Sequence, residues 1–209
     1  MNLYIKQKIS VVVGSLLLLF VISGCSLQNE RVSTPKTVSN TDEIDIISEK
    51  INNVDKIPNI NDVVILVDDL SITRKDFEIQ KIYQEGKKDK EIIHSLIRTK
   101  ATKAEAIRLN IEPSKDKIDA YLMQTREGLY NKDEGSEIII TYIEALGLST
   151  EEYLELLGEL AYDMYQREAL WEHVKERGTY TDYEEYVNSL AEKADVKFID
   201  VQIEKIYRG

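Results

Sequence analysis

Near its start the chain carries a mainly apolar run, and it then changes character twice. Ile9 to Ile22 is apolar apart from two serines and a glycine. It is too short to span a bilayer comfortably, which takes roughly 20 apolar residues. From Ser26 to about Thr41 the chain is polar, with Pro35 and scattered Ser, Thr and Asn, the pattern of a flexible tether. Asp42 to Val54 carries Ile44, Ile46, Ile47 and Ile51, enough for a short helix, before Pro58 and its neighbouring asparagines break the chain. The segment 25–60 therefore reads as an anchor and tether, and 61–209 as the folded domain.

Within 61–209 the pattern is mostly helical. The β-branched run Val63–Val67 predicts a strand, Asp68-Asp69 a turn, and Leu70-Ser71-Ile72 a continued extended segment. Thr73 with Asp76 caps a helix running to about Glu85. Ile92, Ile93, Leu96, Ile97, Ala101 and Ala104 recur at helical spacing, predicting a helix from about Asp89 to Leu109, ended by Asn110. Pro113-Ser114 opens another to about Tyr130, followed by a polar break from Asn131 to Ser136. Ile138 to Leu146 reads as a short helix ended by Gly147, with a strand as the alternative. Ser149-Thr150-Glu151-Glu152 forms a capping box and starts the longest helix, to about Arg177, where Gly178 stops it. Thr181-Asp182-Tyr183-Glu184 is a second capping box, opening a helix that carries Tyr186, Val187, Leu190 and Ala194. Val196–Ile203 closes the chain as a strand. Two strands far apart in sequence pair most simply with each other, with Tyr183 and Tyr186 packing where the ends meet. The expected fold is mainly α, with a two-stranded sheet joining the N- and C-terminal segments.

The start of the chain predicts the compartment. Lys6 and Lys8 precede the apolar run, and Ile22-Ser23-Gly24-Cys25 follows it. This order is that of a secretory signal peptide, and its end resembles the bacterial lipobox. Cleavage is expected before Cys25, the only cysteine, whose sulfur carries the lipid. Two or three acyl chains at one site anchor stably where one is marginal. The expected location is the outer face of a cell membrane. With few cysteines and many Lys, Ile and Asn, the chain points toward a Gram-positive cell.

Charge narrows the partners. The 209 residues carry a net charge of -11. Removing the first 24 takes away two of 27 basic residues and none of 38 acidic ones, so the mature part stands at -13. That disfavours nucleic acid, which needs a basic face to displace counterions, and disfavours a polybasic lipid contact. Hydrophobic residues make up 43%, enough for one core-forming domain. A lone cysteine excludes an internal disulfide.

The order of parts resembles the N-terminal chaperone domain of the SurA and PrsA type of extracytoplasmic foldases. The resemblance rests on Val64-Ile65-Leu66-Val67-Asp68-Asp69-Leu70-Ser71-Ile72-Thr73-Arg74, on Leu96-Ile97 with the alanines after it, and on the step Leu109-Asn110-Ile111-Glu112-Pro113-Ser114. It rests also on Gly147-Leu148-Ser149-Thr150-Glu151-Glu152-Tyr153 and on Leu190 to Phe198. It covers about Val63 to Ile203. Asp69 stands where the family has glycine. In the foldases a parvulin-type isomerase domain follows the long helix. Here Arg177-Gly178-Thr179-Tyr180 fills that place, too short for a domain of roughly 100 residues. The resemblance implies ATP-independent chaperone-like binding of unfolded or secreted proteins, without prolyl isomerase activity. The alternative is an adaptor on the same fold that binds one envelope partner.

No catalytic motif competes with that reading. There is no HExxH, GxSxG or Gly-rich phosphate loop. His94 and His173 read as helix-surface or partly packed residues, so no metal or other cofactor is expected. Glu151, Glu152, Glu184 and Glu185 lie in first helical turns, where they complement the macrodipole. The 12 tyrosines read chiefly as packing residues. Because Tyr and Met adapt to varied partners, Tyr121, Met123, Tyr153 and Met164 are the candidates for a client groove.

Overall fold

The computed structural model describes residues 41–131 and 136–209. The expected signal peptide, Cys25, the tether up to residue 40 and the centre of the polar break lie outside the described residues. Eight helices and three short strands are present among those described. The helices are α1 (Thr41–Val54), α2 (Arg74–Tyr83), α3 (Asp89–Arg108), α4 (Lys115–Asn131), α5 (Ser136–Ala145), α6 (Thr150–Glu176), α7 (Tyr183–Lys193) and α8 (Val201–Arg208). The strands are β1 (Val63–Val67), β2 (Leu70–Thr73) and β3 (Val196–Phe198).

The strands form one antiparallel sheet in the order β2-β1-β3. The long-range pairing is as expected: Ile65 faces Phe198 and Val67 faces Val196. The two-stranded expectation is corrected, because Leu70–Thr73 folds back on β1 as a third strand. The cause is the turn. Asp68 and Asp69 have φ of 48° and 68°, and a two-residue turn with positive φ at both centres matches the twist of a hairpin. Asp68 also joins the ends of the domain. Its N–H donates to the Asp195 carbonyl at 3.1 Å, and its carboxylate accepts the Asp195 N–H at 2.9 Å.

The closing strand is shorter than expected. The N–H groups of Ile199 and Asp200 both donate to the Val64 carbonyl, so the ladder stops there. Asp200 then caps α8, accepting from the N–H of Gln202 at 2.7 Å and of Ile203 at 3.2 Å. Val201 and Ile203 alternate like strand residues, but this cap commits them to a helix. Cap geometry also corrects the start of α7. Asp182, not Thr181, is the N-cap and accepts the Glu185 N–H at 2.7 Å. The boxes Thr73/Asp76 and Ser149/Glu152 form as expected. Ser136–Ala145 is a helix rather than a strand. Gly147, at φ 67°, ends it, with Leu148 N–H reaching back to the Ile143 carbonyl. Asn110, at φ 53°, ends α3 in the same way through Ile111 N–H and the Ala106 carbonyl.

Burial is divided among three clusters. The sheet packs Val64, Ile65, Val67 and Ile72 against Ile92, Ile93 and Ile97 of α3, with Ile203 of α8 alongside. A second cluster joins α1, α2, α5 and the first half of α6. A third gathers Ala106, Leu170, Val174, Tyr186 and Val187 where α3, α6 and α7 meet. At about 1.5 Å per residue, α6 is long enough to serve both, burying Leu156 and Leu160 in one and Leu170 and Val174 in the other. The folded body reaches back into the segment read as tether: Ile44, Ile51, Val54 and Ile60 are buried in the second cluster. Tyr183 and Tyr186 pack on Trp171 in the third cluster and not beside the paired strands.

Candidate functional site

The α3, α6 and α7 helices end at one place, and an open cleft lies between them. Its volume is about 690 Å³. Ala101, Ala104 and Leu109 of the α3 side face Leu190 and Ala194 of α7, with Leu70 of the hairpin at one end. Two alanines one turn apart on α3 leave the hollow, because no long side chain fills it. Ile107, 52% exposed, stands on the lip.

The aromatic wall is fixed by stacking. The Tyr186 and Trp171 rings lie 6.2 Å apart at 28°, and Tyr180 leans on Tyr186 at 5.1 Å. Tyr183 meets Trp171 edge-on at 5.5 Å. The Tyr180 hydroxyl donates to Ser189 Oγ at 2.9 Å, and Ser189 Oγ donates to the Tyr186 carbonyl at 2.8 Å. Each ring pair adds roughly 0.5–1.5 kcal/mol beyond its buried area, so this wall is rigid.

Two polar atoms here have no partner. Tyr186 is 5% exposed, yet its hydroxyl makes no hydrogen bond among the described residues, and neither does Nε2 of His173. Burial pushes the Tyr186 phenol up to about 12, with Glu105 adding and Arg108 opposing. A buried polar atom without a partner costs on the order of 1–3 kcal/mol.

Charges ring the mouth. Arg108 forks onto Glu105 at 2.6 and 2.7 Å. Arg177 and Lys193 also line the cleft and have no ion-pair partner among the described residues. All three cations stand at helix C-termini, where positive charge offsets the free carbonyls.

The four residues named from the sequence do not line this cleft. Tyr153 is 1% exposed and lies inside the second cluster, its hydroxyl also unpartnered. Tyr121, half-buried on α4, packs against that cluster and meets Tyr165 edge-on at 6.3 Å. Met123 is on the outer side of α4, 60% exposed. Met164 is half-buried on α6. Tyr121 and Tyr153 are thus brought close, whereas Met123 faces solvent. The cleft residues were missed because they sit on the last turns of three helices distant in sequence. The usable signals were the Ala101/Ala104 pair and the crowding of Trp171, Tyr180, Tyr183 and Tyr186.

A second, smaller hollow of about 480 Å³ lies beside the start of α3, lined by Lys90, His94, Arg98 and Tyr207. His94 is exposed, and no group of three or more metal-binding side chains occurs among the described residues. No described helix is long and apolar enough to cross a membrane. Comparison with known protein families, curated proteins and solved structures gives no match to this chain.

Proposed function

We propose that this chain is a lipid-anchored, extracytoplasmic chaperone-like protein that binds unfolded or secreted polypeptides, without ATP and without prolyl isomerase activity. The observation that carries this reading is the cleft at the ends of α3, α6 and α7, apolar on its floor and open to solvent. A concave apolar surface with a few convergent polar groups is the usual form of a binding site. Holding an extended apolar stretch there withdraws it from aggregation by the same burial that drives folding. The order of parts that resembles the SurA and PrsA foldases supports the reading, as does the lipobox at Cys25. The acidic body, at -11 overall, favours solubility and leaves nucleic acid an unfavourable partner.

The test is suppression of aggregation. Chemically unfolded secreted proteins, diluted into buffer with the full-length chain, should scatter less light in proportion to its concentration. No effect across several such clients contradicts the proposal.

The adaptor is the second reading, and the size of the cleft favours it. A volume of about 690 Å³ lies within the range of roughly 300–1,000 Å³ typical of single-ligand pockets, room for one short segment. Co-purification separates the two: an adaptor returns one stoichiometric partner and a chaperone returns many.

A further inference from the structure

We infer that the smaller hollow beside the start of α3 binds a phosphate monoester, held by Lys87, Lys90 and His94. This goes beyond the proposed function, and the hollow shares no lining residue with the cleft.

The cations here lack answering acids. Lys87, Lys90 and Arg98 line the hollow against one acid, Glu91. Three positive charges less one negative leave an excess of two with His94 neutral, in a chain whose net charge is -11. A helix gains stability where an acid stands three or four residues from a cation, as Asp119 does from Lys115 and Glu204 from Arg208. Around Lys90 those positions hold Gly86, Lys87, Ile93 and His94. Lys87, Lys90 and His94 are exposed and make no ion pair among the described residues. The acids nearby are already engaged. Glu91 accepts the Lys88 N–H at 3.4 Å, and Asp89 stands 3.8 Å from Lys81. Glu184 is bound to Arg98, which leaves the two lysines as the free cations of the hollow.

The donors approach from several sides. Lys90, His94 and Arg98 recur every fourth residue and so share one side of α3. Lys87 precedes the helix, and Tyr207 comes from α8, its ring set 5.3 Å from Phe198. The Ser95 and Tyr207 hydroxyls also line the hollow and donate to no group among the described residues. A phosphate monoester carries a charge of about -1.5 to -2 near pH 7 and presents three strong acceptor oxygens. Two lysines, a neutral imidazole N–H and two hydroxyls can surround such a group. A carboxylate brings one charge and two oxygens in a plane. A long polyanion is opposed by the field of the acidic body.

The chain carries its own reporter. It has two histidines, so its imidazole C–H resonances form two sets, and His94→Gln identifies one of them. The experiment titrates the full-length chain at fixed pH with glycerol 3-phosphate and follows both sets by NMR. The His94 lines should move saturably while those of His173 stay still. Half-saturation is expected near or below about 1 mM, the range for two or three charge-assisted hydrogen bonds to a small anion. Lys87→Gln/Lys90→Gln should weaken binding by about tenfold or more and melt with the parent, since both side chains are exposed. Lys115→Gln, on exposed α4, removes a charge elsewhere and should bind as the parent does. Short-chain phosphatidic acid, kept below its micelle concentration, runs in parallel. Tighter binding of the lipid identifies a headgroup as the source, and equal binding identifies a soluble ester; both support the inference. No saturable movement of the His94 lines, equal movement of the His173 lines, or unchanged affinity in the double variant overturns it. Tighter binding of an end-capped triglutamate peptide also overturns it, in favour of an acidic protein segment.

Discussion

Asp68 and Asp195 hold the two ends of the folded domain together through a reciprocal pair of hydrogen bonds, 127 residues apart in sequence. Asp68 is also half of the turn that returns β2 onto β1, and it borders the cleft. One tight turn therefore sets the sheet, its closure by β3 and one rim of the cleft. Its backbone is the unusual part, because both aspartates lie at positive φ, where residues other than glycine, asparagine and aspartate are rare.

Asp69→Gly tests that strain. Glycine reaches φ of 68° without the Cβ clash, and Asp-Gly is a preferred pair for this turn. The substitution removes one exposed charge, and the Asp69 side chain makes no hydrogen bond among the described residues. Stability should be unchanged or higher, by up to about 1 kcal/mol. Asp69→Val should lose more than that, since a β-branched residue tolerates positive φ poorly. Urea midpoints of the two variants check the ordering.

Ile51→Ala tests where the domain begins. Ile51 is 2% exposed in the second cluster, so truncation should cost about 2–5 kcal/mol. A tether position would cost less than about 0.5 kcal/mol. A shift in the chemical denaturation midpoint separates these outcomes cleanly.

Alkaline pH should destabilise the fold through its tyrosines. Burial pushes Tyr186 up to about 12, aided by Glu105, and pushes Tyr121 up to about 12, aided by Tyr165, against an ordinary value of 10.0. Burial raises Tyr153 further. The folded chain then holds these protons where the unfolded chain releases them. Stability from this source is complete below about pH 10 and is lost as pH rises from about 10 to 12. Denaturation midpoints at about pH 8 and about pH 11 should fall in the parent, and fall less in Tyr186→Phe. An equal fall in the variant would show that Tyr186 does not contribute.

Cys25→Ala tests the anchor. If Cys25 carries the lipid, the variant should appear as uncleaved precursor or be released from membranes, read by gel mobility and fractionation. Normal processing with membrane retention contradicts the lipoprotein proposal.

Much of this fold is legible in the sequence, because its helices are bounded by side-chain chemistry that acts locally. Thr73 with Asp76, Ser149 with Glu152, Asn110 and Gly147 each mark a boundary that the structure keeps. Val201 and Ile203 misled because alternation over a short run fits a strand and a short helix alike, and the Asp200 cap decides between them. β2 was legible as extended but not as paired, since pairing depends on the φ signs at Asp68 and Asp69. The tether reading failed beyond residue 41 because the partners of Ile44 and Ile51 lie on α2, α5 and α6, far along the chain. The cleft was the least legible feature. A hollow is made by what is missing between helices, and Ala101 and Ala104 look like ordinary helix formers until α7 is placed opposite them. Tyr153 shows the converse error: a residue type suited to binding is used for packing.

The most direct measurement is site-specific photocrosslinking from the lip of the cleft. The full-length chain carrying a photoreactive phenylalanine analogue at Ile107 is mixed with one secreted protein, either native or unfolded in urea and freshly diluted. A matching probe at Ile46, exposed on α1, serves as the control position. The account predicts crosslinks from position 107 to the unfolded form, few to the native form, and none above background from position 46. Equal labelling from both positions, or no labelling from 107, would contradict it.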